Sequence, residues 1–173
     1  MIKKTVLIIV GNYLPGFKSG GILRSVENSI NYLSSDFKFI IITRNHDVGE
    51  DKPYEGIVSD DWNKIGNVDV YYLSKKSMSF RSICRLCNQI NYDFIHLNSF
   101  FDLLSIKLTL ALRFNKIKPT PSLLSPRGEF ADASFKIKFY RKYFFVNLVK
   151  FFKIYSKTKW HVSSEYEICL LYT

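Results

Sequence analysis

The sequence predicts a Rossmann-like open α/β fold, a parallel sheet with helices on both faces, and two observations carry that prediction. Short β-branched runs alternate with helically spaced apolar patterns along the whole 173 residues, the order that builds parallel strands joined by crossover helices. The second run, residues 37–43, is almost continuously apolar, as expected of a strand buried on both faces.

Taken in order, residues 5–10 read as the first strand. Ile22, Val26, Ile30 and Leu33 then recur at helical spacing over residues 22–33. After the strand at 37–43 a long polar loop spans residues 44–67, and 68–73 is the next strand. Residues 80–90 read as helix, 94–97 as strand, 103–114 as helix, and 122–125 as a short strand after prolines. A long helix is predicted over 134–156, a strand over 160–162, and a final helix from Glu165. There are no internal repeats or low-complexity segments.

A chain of this length amounts to about one domain, and such a domain hides roughly 70% of its unfolded surface. Residues 1–173 are therefore read as a single unit. The composition is 47% hydrophobic and 23% charged, ordinary for a globular protein, but fifteen Phe, eleven Tyr and a net charge of +10 are not. That charge favours an anionic partner: phosphate, nucleic acid or an anionic membrane surface. Three cysteines form no disulfide framework. Cys84 and Cys87 have CxxC spacing, but they sit in an amphipathic pattern without a second pair, and two small core-facing residues explain them better than zinc. A reducing cytoplasm fits. The opening apolar run is too short for a signal peptide, and no run approaches the about 18 residues that suggest a membrane span.

In open α/β sheets ligands bind beyond the carboxyl ends of the strands, so the loops there are the places to look. After the first strand comes Gly11-Asn12-Tyr13-Leu14-Pro15-Gly16-Phe17-Lys18-Ser19-Gly20-Gly21, with Arg24 in the following helix. Paired Gly20 and Gly21 at a helix start would let backbone N–H groups approach a phosphate; a merely permissive turn is the alternative. The spacing is not GxGxxG, and the second strand ends in Thr43-Arg44-Asn45 where a dinucleotide site would place a carboxylate. A nucleotide-binding oxidoreductase is thereby disfavoured.

His96-Leu97-Asn98-Ser99-Phe100-Phe101-Asp102 follows the strand that Tyr92-Asp93 opens. His96 and Asn98 point to one side of that strand; His96 reads as a satisfied core histidine and Asn98, at the tip, as a contact to ligand hydroxyls. Ser125-Pro126-Arg127-Gly128-Glu129-Phe130 sets Arg127 and Glu129 around a glycine at the ligand edge. A surface ion pair worth only about 0–1 kcal/mol is the bland alternative. In Trp160-His161-Val162-Ser163-Ser164-Glu165, Ser163 or Ser164 reads as a helix N-cap.

Between residues 134 and 164 there are eight basic residues and no acidic one. At helical spacing Ile137, Tyr140, Phe144, Leu148, Phe151 and Tyr155 make one apolar stripe, expected to face the core. Lys138, Arg141, Lys142, Lys150, Lys153 and Lys157 fall on the other side among Phe139, Tyr143, Val146 and Val149. Such a face suits anionic lipid headgroups, or a solvated surface whose lysine stems cover apolar area. Nucleic acid is the weakest partner, since no nucleic-acid motif accompanies the charge.

Four of these segments, in order, resemble the N-terminal domain of glycosyltransferase family 4, retaining enzymes of GT-B architecture. They are Asn12 to Arg24, Asp93-Phe94-Ile95-His96-Leu97-Asn98, Ser125-Pro126-Arg127-Gly128-Glu129-Phe130, and His161-Val162-Ser163-Ser164-Glu165. The resemblance implies sugar transfer from a nucleotide-sugar donor to a lipid-linked or polysaccharide acceptor, with retention, no metal and no cofactor. Gly20, Gly21, Arg24, Asn98, Arg127 and Glu129 become substrate-binding candidates, with Gly20 and Gly21 near the donor diphosphate. Loop 44–67 and the basic helix become acceptor and membrane contacts, on the inner face of the cell membrane. Many family members carry a second histidine where this sequence has Asn98. The family's C-terminal donor half, with its basic pair and Glu-x7-Glu motif, has no counterpart before Thr173. The chain is accordingly expected to be a truncated enzyme that transfers no sugar alone, or else a non-catalytic acceptor- or membrane-binding module working with a separate donor-domain chain.

Overall fold

A computed structural model describes residues 3–131 and 139–162, and the account below is of these. Their elements are β1 (Lys4–Ile9), α1 (Gly20–Leu33), β2 (Phe37–Arg44), β3 (Trp62–Ile65), β4 (Val68–Leu73), α2 (Phe80–Gln89), β5 (Phe94–Asn98), α3 (Leu103–Arg113), β6 (Ser122–Ser125), α4 (Phe139–Phe151) and β7 (Thr158–Trp160). The seven strands form one sheet in the order β3-β4-β2-β1-β5-β6-β7. Every pairing is parallel except β3 with β4. The predicted α/β class and open parallel sheet are what the chain adopts.

Alternation along the central strands divides the core between two faces. Val6 and Ile8 of β1, with Val10 just after it, face Val26 and Ile30 of α1, while Leu7 and Ile9 join α2, α3 and α4 on the other side. Burial on both faces is why these strands read as continuous apolar runs. Cys84 and Cys87 lie on the core side of α2. Burial raises both thiols, Cys87 to about 12, so they stay protonated packing groups.

Three predicted spans differ from the structure, for local reasons. Loop 44–67 contains β3, a short, largely exposed strand that pairs antiparallel with β4 across a two-residue Gly66-Asn67 turn. Gly66 there takes a φ of 57°, and Trp62 stacks edge-on against Tyr71 across the pair at 5.2 Å.

The helix expected to reach Ser156 ends at Phe151. Lys153 adopts a φ of 47°, its N–H reaches the Lys150 carbonyl at 3.1 Å, and the Ile154 N–H reaches Val149 at 3.1 Å. These paired bonds are a Schellman stop with lysine where glycine is usual, so periodicity ran through it. The last strand consequently falls at Thr158–Trp160 rather than 160–162. Lys138, Ser163, Ser164 and the helix expected from Glu165 lie outside the described residues.

The orientation of α4 also reverses the expectation. Of the predicted core stripe, Tyr140, Phe144 and Phe151 are 86%, 69% and 80% exposed. The face that meets the sheet instead carries Phe145, Val146 and buried Val149. Helical spacing offered two apolar arcs, and the sheet's partner surface decided between them. That surface is aromatic, built on Phe100, Phe101 and Phe130. Phe145 seats between Phe100 and Phe101 at 5.5 and 5.9 Å, and the compact valines fit beside it. Lys142, expected on the outer side, places its ammonium 5.0 Å from the centre of the Phe101 ring.

Candidate functional site at the topological switch point

The chain leaves β1 toward β2 on one side and later fills β5 on the other, so consecutive loops diverge between β1 and β5. A crevice opens at the carboxyl ends of strands at such a switch point. Here it is a cleft of about 200 Å³. Gly11 and Asn12 line it from the end of β1, Ser19 and Ile22 from the start of α1, and Arg44 and Val48 from the end of β2. Asn98, Ser99 and Asp102 complete it from the β5–α3 loop. Its size lies below the roughly 300–1,000 Å³ of pockets that enclose a drug-sized ligand, so it holds one ring or one phosphate-sized group.

Asn98 sits fully buried in this wall. Its amide nitrogen donates to the Ile9 carbonyl at 3.3 Å, and its oxygen accepts two bonds from Arg127, at 3.0 Å from Nε and 2.7 Å from Nη2. The other Arg127 nitrogen donates to Ser25 Oγ on α1 at 2.5 Å. Arg127 therefore ties the loops after β5 and β6 to the first helix. It does so with a φ of 58° and Ser99 with a φ of 87°, left-handed conformations that cost non-glycine residues about 1–3 kcal/mol each and cluster at functional sites.

Glu129 has a different task from the one its position suggested. Ser99 Oγ donates to one carboxylate oxygen at 2.5 Å, and the Phe100 and Phe101 N–H groups donate to the other at 2.6 and 3.3 Å. Burial nevertheless holds its pKa above the usual carboxylate value, against the pull of those three donors. The carboxylate shapes the loop that carries Ser99 and is not among the groups lining the cleft.

Gly20, with a φ of 44°, makes the turn into α1, and Ser19 provides no side-chain cap there. A Cβ at Gly20 or Gly21 would meet nothing within 4 Å, so the space before the helix start is open. Arg24 is exposed one turn further on and does not line the cleft. The structure thus joins Asn98 and Arg127, sets Gly20 and Gly21 beside the cleft, and leaves Arg24 outside it.

Several site residues were not selected from the sequence. Arg44 forms an ion pair with Asp102 inside the cleft, and the other Asp102 oxygen caps α3 by accepting from the Leu104 N–H at 2.9 Å. The pair lies directly over Gly11, where a Cβ would come within 2.8 Å of Arg44 Nη1 and 2.9 Å of Asp102 Oδ2. The cap was legible, since an aspartate just before an apolar helical run is an N-cap signal. Its ionic partner, 58 residues away, was not.

Much of loop 44–67 supports the glycine-rich loop. Asp47 accepts from the Phe17 and Lys18 N–H groups at 2.9 and 3.2 Å, and Asn12 donates to the His46 carbonyl at 2.7 Å. Burial opposes ionisation of Asp47, yet its backbone donors prevail and lower its pKa. Tyr54 fills the space against Gly16, whose Cβ would overlap the Tyr54 hydroxyl and stand 3.0 Å from the Tyr13 carbonyl. Gly16→Ala is therefore expected to displace Tyr54 and cost about 1–3 kcal/mol, the usual range for overpacking. Urea denaturation checks this, and an unchanged midpoint would show that the contact yields freely.

His96 Nε2 and His161 Nδ1 share the buried Ser125 hydroxyl at 2.9 and 3.0 Å. Burial, with Arg127 and His161 adding to it, pushes His96 down to about 4, so it is neutral near pH 7. That matches a satisfied core histidine. Ser125 is 1% exposed, which denies it a nucleophile's access to ligand.

The cleft is therefore lined by amides, hydroxyls and a guanidinium–carboxylate pair beside apolar Val10, Ile22 and Val48. Among the described residues no cluster of His, Cys, Asp and Glu is placed to hold a metal, and no helix is long and apolar enough to cross a membrane. The fold defines a Rossmann-like α/β protein with a small crevice at its switch point. No protein-family profile matches the chain, and no curated protein matches it.

Proposed function

We propose that this chain is the acceptor-side part of a glycosyltransferase, serving transfer of a sugar from a nucleotide-sugar donor to a lipid-linked or polysaccharide acceptor. The observation that carries the reading is the Arg127–Asn98 contact. It joins two segments whose sequences resemble glycosyltransferase family 4, 29 residues apart, at the cleft where an α/β sheet binds ligand. A third such segment, the glycine-rich loop into α1, lines the same cleft through Asn12 and Ser19.

The chemistry assigned to this chain is binding and orientation. Asn12, Ser19 and Ser99 offer hydrogen bonds to sugar hydroxyls. The α1 start has no side-chain cap and no acidic residue in its first turn, so its dipole favours a phosphate there. Stabilising a leaving diphosphate takes preorganised positive groups beyond these, so turnover by this chain alone is not expected.

Titration of the ¹⁵N-labelled chain with a panel of nucleotide sugars and sugar phosphates tests the reading. Amide shifts are expected at Gly11, Asn12, Gly20, Asn98 and Ser99, and Asn98→Ala should weaken them about tenfold, the effect of losing one or two buried hydrogen bonds. A panel that leaves these amides unmoved, or moves only a remote surface, sinks the proposal.

A further inference from the structure

We propose that the outward face of α4 docks on an anionic lipid bilayer surface. Phe144, Phe151 and Phe152 are 69%, 80% and 57% exposed, and Leu148 joins them at 37%. Phe144, Leu148 and Phe151 fall on one arc of the helix, away from Phe145, Val146 and Val149, which hold it to the sheet. Scattered exposed apolar residues are ordinary on a soluble surface; an apolar row along one arc of a helix is the mark of an interaction site.

Charge identifies the occupant. Exposed Arg141 lies to one side of the row and exposed Lys150 to the other, with Lys153 in the turn beyond. Residues 133–164 contain no acidic side chain. Aromatic rings entering the headgroup boundary while flanking cations meet lipid phosphates is how an in-plane amphipathic helix binds, and each such cation adds attraction to an anionic leaflet. A second copy of this chain fits poorly, because a two-fold contact sets the same cations against each other. Nucleic acid would reward the cations and leave the apolar row without a partner.

The proposal stands apart from the sugar-transfer reading, since α4 contributes nothing to the cleft lining. Its test is co-sedimentation of the purified chain with phosphatidylglycerol-rich vesicles and with phosphatidylcholine vesicles. The chain is expected to bind the anionic vesicles preferentially and to be released by salt. Phe144→Ser with Phe151→Ser, and separately Lys150→Glu with Lys153→Glu, should each lower binding about tenfold or more. All four positions are exposed, so circular dichroism should show both variants folded. Equal binding to the two vesicle types, or unaltered binding by folded variants, would overturn the proposal. So would retention on duplex DNA without vesicle binding, or self-association that the serine variant abolishes in the absence of lipid binding.

Discussion

Phe100→Ala is expected to destabilise the chain by about 3–5 kcal/mol, the range for deleting a buried phenyl ring. Phe100 is 2% exposed and is the hub of the aromatic layer between the sheet and α4. Its ring centre lies 4.9 Å from Phe101, 5.0 Å from Phe130, 5.5 Å from Phe145, 4.9 Å from Tyr155 and 5.6 Å from Trp160. The five neighbours come from three separate stretches of chain, so none can follow the others into the cavity. Domains are stable by only about 5–15 kcal/mol in total, and a loss of this size is a large share of that. Urea denaturation measures it. Phe100→Leu, which keeps more of the volume, should cost less. A loss below about 1 kcal/mol for the alanine variant would mean that the layer collapses freely onto the gap.

That aromatic layer also explains the composition. The excess of Phe and Tyr was visible in the sequence, but its placement was not, because rings repeat on both arcs of α4. Tyr155 shares by spacing the stripe of Phe144 and Phe151, yet among the described residues of that stripe it alone is buried, stacked on Phe100 and donating to the Phe100 carbonyl at 3.3 Å. The stop at Lys153 causes this: it ends the helix and turns Tyr155 inward, away from where a continuing helix would carry it. A left-handed lysine gives no compositional signal, in contrast to the glycine that usually marks such a stop.

The central strands were legible because their signal is one-dimensional. Burial on both faces of β1 and β2 demands apolar residues in sequence, and that demand can be read without knowing the partners. The carboxyl-end rule then pointed to Asn98 and Arg127, which do meet at the cleft. What could not be read was pairing. Arg44 at the end of β2 and Asp102 before α3 become neighbours only because β1 lies between β2 and β5, with Gly11 leaving room above it. Glu129 shows the same limit from the other side. A carboxylate on a ligand-edge loop looks available for ligand, and only the fold reveals three donors already directed at it.

Glu129→Ala is accordingly expected to cost about 3 kcal/mol, since it leaves the Ser99 hydroxyl and the Phe100 and Phe101 N–H groups without their acceptor, at about 1–3 kcal/mol for each buried group left unpaired. Some of that loss is regained where a freed donor reaches water. Glu129→Gln should cost less, because its oxygen can keep both N–H groups while its amide turns to the Ser99 hydroxyl, which can accept as well as donate. The pH trend has a definite sign. Burial raises the folded pKa of Glu129 above its unfolded value, so the carboxyl's contribution is largest at acid pH and declines as pH rises through that interval. The stability gap between the unaltered chain and Glu129→Ala should therefore widen on acidification. The second readout is local: Ser99, held at a φ of 87°, should lose its amide protection against hydrogen exchange along with its neighbours through Asp102, while α1 and β1 keep theirs. If the exchange of residues 99–102 stays unchanged in a variant of near-normal stability, Glu129 does not anchor the loop, and the left-handed Ser99 must be held by its own bond to the Ser125 carbonyl at 2.9 Å.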